Sequence, residues 1–343
     1  MKHTPARKQC EDYQPKRVLI TGGAGFIGCN LIRFILEHYP DIYVVNFDLL
    51  TYAGHLDNLE DLPNQDHYSF IRGDITDHEA VDSAMTGCDS VINLAAETHV
   101  DSSIIDSTPF VRTNVLGTQV LLDTALHHHV QRFIQIGTDE VYGSLGLDDR
   151  ARFTEESPLH PNSPYAASKA AADHLALSYH RTYRLPTIVT RCSNNFGPYQ
   201  YPEKVIPLFV SNLLNDKKVP LYGDGLNVRD WIHVDDHAEA IIRVLISGRV
   251  GEIYNIGAEN ESSNLELTRQ LLALCNCDDS RIEFVEDRPG HDRRYAVDPS
   301  KICRELNWRA SRSDWPDALT DTVNWYRDHQ PWCETIRQEY KLR

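Results

Sequence analysis

An apolar run, Val18-Leu19-Ile20, passes straight into Thr21-Gly22-Gly23-Ala24-Gly25-Phe26-Ile27-Gly28, and this turn limits the possible folds more than any other stretch. Gly22, Gly25 and Gly28 recur at three-residue spacing. The first permits a sharp turn, the second lets backbone approach a ligand, and the third brings helix and strand together. Residues 26–39 then have helical character, and a second apolar run, 43–47, leads to Asp48. Strand, glycine turn, helix, strand is a βαβ unit, which requires a parallel sheet with helices on its faces.

The alternation continues. Short apolar runs at 69–71, 90–94, 133–136 and 187–190 are separated by helical stretches that include 113–128 and 164–183. Right-handed crossovers turn this pattern into an α/β Rossmann-type, doubly wound parallel sheet, expected over 17–197. After Gly197 prolines and glycines multiply (Pro198, Pro202, Pro207, Pro220, Gly223, Gly225), which predicts a smaller, mainly helical, discontinuous substrate-binding part over 198–330. The run at 253–256 still reads as a strand and is expected to return to the sheet, while residues 1–16 read as an N-terminal tail.

Asp48 lies 20 residues beyond Gly28, where a carboxylate holds the adenosine ribose hydroxyls of a dinucleotide and repels a 2′-phosphate. That combination predicts NAD rather than NADP, with the pyrophosphate at the helix N-terminus. Gly73-Asp74-Ile75 and Leu94-Ala95-Ala96-Glu97 follow the third and fourth strands, on the edge where further dinucleotide contacts are expected. A chance glycine turn with strand-ending loops is the plainer alternative.

Tyr165 and Lys169 stand four residues apart in Ser163-Pro164-Tyr165-Ala166-Ala167-Ser168-Lys169. Pro164 suits a first helical turn, so the two side chains share one helix face. A nearby ammonium favours the phenolate, so Tyr165 is expected to have a lowered pKa and to act as a base on a hydroxyl. The fifth strand ends in Gly137-Thr138-Asp139-Glu140-Val141-Tyr142-Gly143. Two neighbouring carboxyls tend to hold one proton between them, which supplies an acid and a base side by side.

Composition removes other classes. The chain has 34 basic and 50 acidic residues, a net charge of −16, and such a surface repels nucleic acid. No apolar run reaches the roughly 18 residues that span a bilayer. The first 16 residues are polar, without the apolar core of a signal peptide, so a cytoplasmic protein is expected. Of the eight cysteines only Cys275 and Cys277 lie close together and none forms a CxxC pair, which reads as free thiols. His127-His128-His129 reads as an exposed helix end, because adjacent imidazoles do not share a helix face; no metal is expected.

Together these residues resemble the extended short-chain dehydrogenase/reductase family, and within it the dTDP-glucose 4,6-dehydratases, from about Arg17 to Tyr326. The carrying motifs are Thr21 to Gly28, Asp48-Leu49-Leu50-Thr51-Tyr52-Ala53-Gly54, Ala95-Ala96-Glu97-Thr98-His99-Val100-Asp101, Thr138-Asp139-Glu140 and Tyr165 to Lys169. Asn194-Asn195-Phe196-Gly197-Pro198, Pro202-Glu203-Lys204, Arg229-Asp230-Trp231 and Asp287-Arg288-Pro289-Gly290-His291-Asp292 add to them. The resemblance implies oxidation at C4 of a nucleotide sugar, loss of water across C5 and C6, and return of hydride to C6. It assigns Tyr165, Lys169 and Thr138 to the C4 step, Glu140 to the C5 proton and a protonated Asp139 to the departing hydroxyl. It places Gly22, Gly25, Phe26, Ile27, Gly28, Asp48, Leu49, Leu50, Thr51, Asp74, Ile75, Leu94, Ala95, Ala96, Thr113, Tyr165, Lys169 and Asn195 on NAD. Thr98, Thr138 and Asn194 would meet the sugar, and Lys204, Val205, Pro220, Leu221, Tyr222, Arg229, Asn264, Arg288 and His291 the nucleotide diphosphate. It also implies a homodimer through bundled helices.

Gly137 stands where relatives usually carry serine and Phe196 where tyrosine is common; the glycine is expected to loosen the loop that presents Thr138. Dehydration of UDP-glucose, a C4 epimerase or decarboxylase, and a silent NAD-binding sensor are the competing readings. The last three have no use for the Asp139/Glu140 pair. In the plainer view Arg229 and Arg288 are surface partners of Asp230 and Asp287.

Overall fold

In the computed structural model the described residues are 12–341. Seven parallel strands form the central sheet: β1 (Arg17–Thr21), β2 (Tyr43–Asp48), β3 (Tyr68–Arg72), β4 (Ser90–Asn93), β5 (Arg132–Thr138), β6 (Thr187–Cys192) and, far along the chain, β10 (Ile253–Ile256). Their order is β10-β6-β5-β4-β1-β2-β3. The order reverses between β1 and β4, and ligands bind beyond the strand ends at such a point.

Helix α1 (Phe26–His38) shows why the chain folds this way. Its Leu31, Ile32, Ile35 and Leu36 recur at helical spacing and are buried against one face of the sheet, together with α8 (Val234–Ser247). Replacing Ile35 by alanine would cost about 2–5 kcal/mol through lost burial and the cavity left behind. The other face is covered by α2 (His78–Met85), α5 (Thr118–His127) and α6 (Pro164–Tyr183), around Val45, Val91, Leu121 and Phe133.

The stretch expected as one helix over 113–128 is composite. A π-helical turn, Val111–Gly117, precedes α5 and buries Asn114 and Gly117. A Cβ at Gly117 would lie 2.4 Å from the Ile75 side chain, so glycine lets that side chain pack closely there. The second part adds two small sheets to its helices: β7 (Asn194–Phe196), β9 (Val228–His233) and β11 (Glu261–Ser263), and separately β8 (Val219–Tyr222) with β12 (Ile282–Val285). Its own core holds Phe196, Phe209, Trp231, Leu271 and Tyr326.

Of the expected tail, residues 1–11 lie outside the described residues. Residues 12–16 do not trail away: Tyr13 donates its backbone N–H to the Ile246 carbonyl at 2.9 Å and its phenol meets Ser90 Oγ at 2.9 Å. Among the described residues no helix is long and apolar enough to cross a membrane.

Candidate active site

The end of β1 and the start of α1 form one wall of a cavity of about 350 Å³. Gly22 has φ +71°, and a Cβ there would lie 2.7 Å from the Ala95 backbone nitrogen. A Cβ on Gly28 would lie 2.3 Å from the Gly22 carbonyl oxygen. Both positions exclude any side chain, which leaves bare backbone beside the cavity at a helix N-terminus, a surface made for a pyrophosphate. Asp48 Oδ2 accepts the Ala24 N–H at 2.9 Å and Oδ1 the Leu50 N–H at 2.8 Å. Burial pushes this carboxyl above its ordinary pKa. Two lone-pair sites remain for a diol, so the loop and Asp48 fit an adenosine diphosphate end.

Gly25, Phe26, Ile27, Leu49, Thr51, Asp74, Ile75, Leu94, Ala95, Ala96 and Thr113 line the same cavity. Leu50 does not; its side chain packs on the core beside α1. Asn195 lines the wall, but its side chain is held by His237 Nδ1 at 2.8 Å and the Ser193 carbonyl at 3.0 Å. Asn194 Oδ1 is buried with no hydrogen-bond partner in the protein.

At the floor β5 delivers Thr138, Asp139 and Glu140, and α6 delivers Tyr165 and Lys169; all five line the cavity. Ser163 caps α6, its Oγ accepting the Ala166 N–H at 3.1 Å, so Tyr165 and Lys169 sit in the first two turns. The expected lowering of the Tyr165 pKa is not what this structure holds. Burial raises it well above 10, and the nearby Glu140 carboxylate raises it further. The Thr138 hydroxyl is the hydrogen-bonding neighbour that acts the other way. Lys169 donates instead to the Ile136 carbonyl at 2.6 Å, and burial lowers its own pKa.

The two carboxyls differ in their surroundings. Asp139 is buried, and burial, Glu140 and Asp230 together push it well above the usual carboxylate range. Glu140 is also raised by burial, but Arg288, Arg229 and Lys204 all pull it back. A single shared proton therefore belongs on Asp139, leaving Glu140 the anion. Asp139 Oδ2 has no partner in the protein.

Gly137 does not loosen this strand. It pairs with Arg191 in β6, and a Cβ would lie 2.6 Å from the Thr190 carbonyl and 2.9 Å from Asp173 Oδ1. Phe196 is fully buried against Trp315, with ring centroids 5.3 Å apart.

The nucleotide end is assembled from separate segments. Arg229 is buried, stacks over Tyr295 with its guanidinium carbon 4.4 Å from the ring centre, and donates to the Asp292 carbonyl at 3.0 Å. Arg288 pairs with Asp101 at 3.1 Å, not through its side chain with Asp287. Asp287 instead holds His291 Nδ1 at 2.6 Å, and the Tyr222 ring meets His291 edge-on at 6.1 Å. Lys204 and Thr98 line the cavity. Val205 opens helix α7 (Val205–Leu214) and packs on the second core, Leu221 is buried, Pro220 lies between them in β8, and Asn264 begins α9 (Asn264–Leu274). These four do not line the cavity, and neither do Tyr222, Arg229, Arg288 and His291.

Residues 19–314 match the family model described as GDP-mannose 4,6 dehydratase. A dTDP-glucose 4,6-dehydratase of Actinoplanes sp. is 50% identical over 321 residues, covering 92% of this chain and 99% of that protein. The crystal structure of DesIV, a dTDP-glucose 4,6-dehydratase from Streptomyces venezuelae with NAD bound, is 49% identical with a TM-score of 0.90, covering 93% of this chain and 99% of that one. The chain belongs to the dTDP-glucose 4,6-dehydratase family. A UDP-glucose 4-epimerase from Thermotoga maritima shares the fold at 27% identity and a TM-score of 0.82, over 91% of this chain and 99% of that one.

Within this family member several residues in and around the cavity escaped the reading of motifs. Asn114, presented by the π-helical turn, donates to the Glu97 carbonyl at 3.0 Å and to Ser168 Oγ at 2.8 Å, and accepts the Glu97 N–H at 2.9 Å. Ser193, Gln200, Tyr201 and Glu203 line the wall itself. Between α6 and β6, Asp173 and Arg191 form a buried ion pair at 2.8 Å. Glu97 and Glu203 lay inside quoted motifs; Asn114 and Arg191 had no spacing signal at all.

Proposed function

We propose that this chain converts dTDP-glucose to dTDP-4-keto-6-deoxyglucose, with NAD held along the glycine turn and Asp48. The observation that carries the reading is the pair Asp139 and Glu140, adjacent in sequence and opposite in electrostatic surroundings, beside Tyr165 in one cavity. When bound there, NAD would supply the acceptor for the C4 hydride and the donor of that hydride to C6. Tyr165 takes the C4 hydroxyl proton, with Thr138 hydrogen-bonded to its phenol and Lys169 one helical turn away. The C4 ketone acidifies C5, Glu140 removes that proton, and Asp139 protonates the departing C6 hydroxyl as water leaves. Glu140 then returns its proton to C5. Arg229, Arg288, Lys204 and His291 are assigned to the nucleotide diphosphate, Thr98 and Asn194 to the sugar, and residues 17–197 with 253–256 to the cofactor-binding part.

The pH dependence follows from the two directions of shift. Glu140 must be ionised, so activity falls as pH drops through its raised pKa; Asp139 must be protonated, so activity falls as pH rises through its higher one. The expected profile is a bell. Incubation with dTDP-, UDP- and GDP-glucose side by side tests the reading, with kcat/KM highest for dTDP-glucose; equal turnover of UDP-glucose would remove the assignment of the base.

A homodimer in the cytoplasm completes the proposal. Ile105, Val111 and Leu116 expose apolar surface around α3 (Val100–Ile105) and the π-helical turn, which suits a partner copy, and the described cysteines are free thiols, as a reducing compartment requires. A molar mass measured by light scattering checks the dimer.

A further inference from the structure

The glycine turn and Asp48 are close in sequence, but the segment that follows Asp48 is held by residues from far along the chain. Thr51, Ala53 and Gly54 line the cavity, and the segment bends round Asp48 so closely that a Cβ on Gly54 would lie 2.9 Å from Asp48 Oδ1. Leu50, near its start, takes φ +58°, a conformation that a bulky side chain keeps only when its surroundings hold it. The hold comes at His55 and Asn58. The His55 N–H donates to the Ala24 carbonyl of the glycine turn at 3.1 Å, and Asn58 Nδ2 donates to the same oxygen at 2.9 Å.

Asn58 is 1% exposed, and its other polar groups are engaged as well. Its backbone N–H donates to the His55 carbonyl at 3.3 Å, and its carbonyl accepts from Arg33 Nη2 at 2.9 Å. Its side-chain Oδ1 accepts the indole N–H of Trp332 at 3.0 Å, across 274 positions of sequence. Trp332 stands on α12 (Gln330–Lys341), whose Cys333 belongs to the second core. Its ring lies among Tyr199 and Trp325, with centroids 5.9 and 5.4 Å away. Position 332 falls beyond the residues 19–314 that the family model matches.

We propose that Trp332 is a positioning residue for the cofactor: through Asn58 it holds residues 49–58 against the glycine turn and so slows the loss of NAD. The inference rests on NAD lying along that turn and Asp48. An asparagine amide presents an acceptor on one side and donors on the other. Here the acceptor meets the indole and a donor meets Ala24, so one side chain joins the C-terminal helix to the cofactor turn. Without the indole N–H, Oδ1 becomes a buried acceptor with nothing to accept, and water satisfies it only when the segment swings out. The loss therefore favours the open arrangement, the one from which a dinucleotide leaves. Arg33 on α1 and Tyr201, whose ring stacks on His55 at 6.1 Å, still hold the segment, so the effect is partial.

The test is the rate at which NAD bound to the full chain exchanges for labelled NAD, followed by rapid filtration. Trp332→Phe, which keeps a ring beside Tyr199 and Trp325 but has no N–H, should exchange about 3–10-fold faster, the worth of one neutral hydrogen bond. Asn58→Ala, which loses the contact to Ala24 as well, should exchange on the order of 10–100-fold faster. Adding Trp332→Phe to Asn58→Ala should change nothing further, because the tryptophan then has nothing to act through. Trp325→Phe, in the same aromatic cluster, leaves the hydrogen bond from Trp332 to Asn58 in place and should keep the wild-type rate. A wild-type rate in Trp332→Phe, an equal acceleration in Trp325→Phe, or additive effects in the double variant would overturn the proposal. Wild-type protein that carries no NAD and takes up none on incubation would overturn the cofactor reading itself, and this is seen before any variant is compared.

Discussion

The two ends of the cavity meet their ligand with different materials. At the β1–α1 end the wall is backbone: Gly22 and Gly28 sit where a Cβ would collide with main-chain atoms, and a helix N-terminus faces the space they leave. At the other end the wall is side chains: Thr98, Asn194, Glu203 and Lys204 line it, and Arg229 from β9 and Arg288 act on Glu140 from outside the lining. The first end is rigid and local, since one turn supplies it. The second draws on residues nearly 90 positions apart (204 to 291), and a diphosphate bound there, as proposed, would offset the desolvation of Arg229. Burial lowers the pKa of Arg229 in this setting. The floor between them needs both: Glu140 stays the anion because Arg229, Arg288 and Lys204 face it.

The strongest way to break this comparison is at the floor. Glu140→Gln should lower steady-state dehydration by about 10²–10⁴-fold, while reduced nicotinamide still accumulates slowly from C4 oxidation, read by its absorbance. A variant that dehydrates normally would remove the base from the account. At the side-chain end, Arg288→Ala should raise KM for dTDP-glucose by about 10–100-fold, the worth of a hydrogen bond to a charged group, with a smaller change in NAD content. At the backbone end the pattern should invert. Gly28→Ala forces a Cβ within 2.3 Å of a carbonyl oxygen, so the chain should shift at a cost of about 1–3 kcal/mol and be purified with less NAD, as measured by its absorbance after denaturation. Equal loss of NAD and sugar affinity in both variants would show that the ends are not separate.

The smallest effect concerns stability. Asp139 has a folded pKa raised above its unfolded value, so the native state holds the proton more tightly. Its contribution is present below the ordinary carboxylate pKa and is lost as pH rises through the raised one. Asp139→Asn should therefore melt roughly 1–3 °C above the wild type at neutral pH and match it in mild acid, by scanning calorimetry. A constant difference at every pH would contradict the sign.

The same contrast decides what the sequence disclosed. The glycine turn, Asp48, the strand at 253–256 and the Tyr165–Lys169 pair were legible because each is a local pattern with a fixed period or offset. The Asn114 bridge was not, because the π-helical turn that aims it has no composition of its own. The pairings of β7 and β11 with β9 and of β8 with β12 join residues far apart in the chain, and the first two hold the strand from which Arg229 acts on Glu140. The direction of the Tyr165 shift was misread from spacing for a related reason. A lysine four residues along the helix is visible in sequence, whereas the burial that outweighs it and the Ile136 carbonyl that takes its ammonium are not.

The central claim is that one cavity oxidises C4, removes water and delivers the same hydrogen to C6. Converting dTDP-glucose deuterated at C4 and locating the label by NMR tests it most directly. The account predicts deuterium in the C6 methyl group of the 4-keto product. Deuterium retained at C4, or washed into solvent with none at C6, would contradict it.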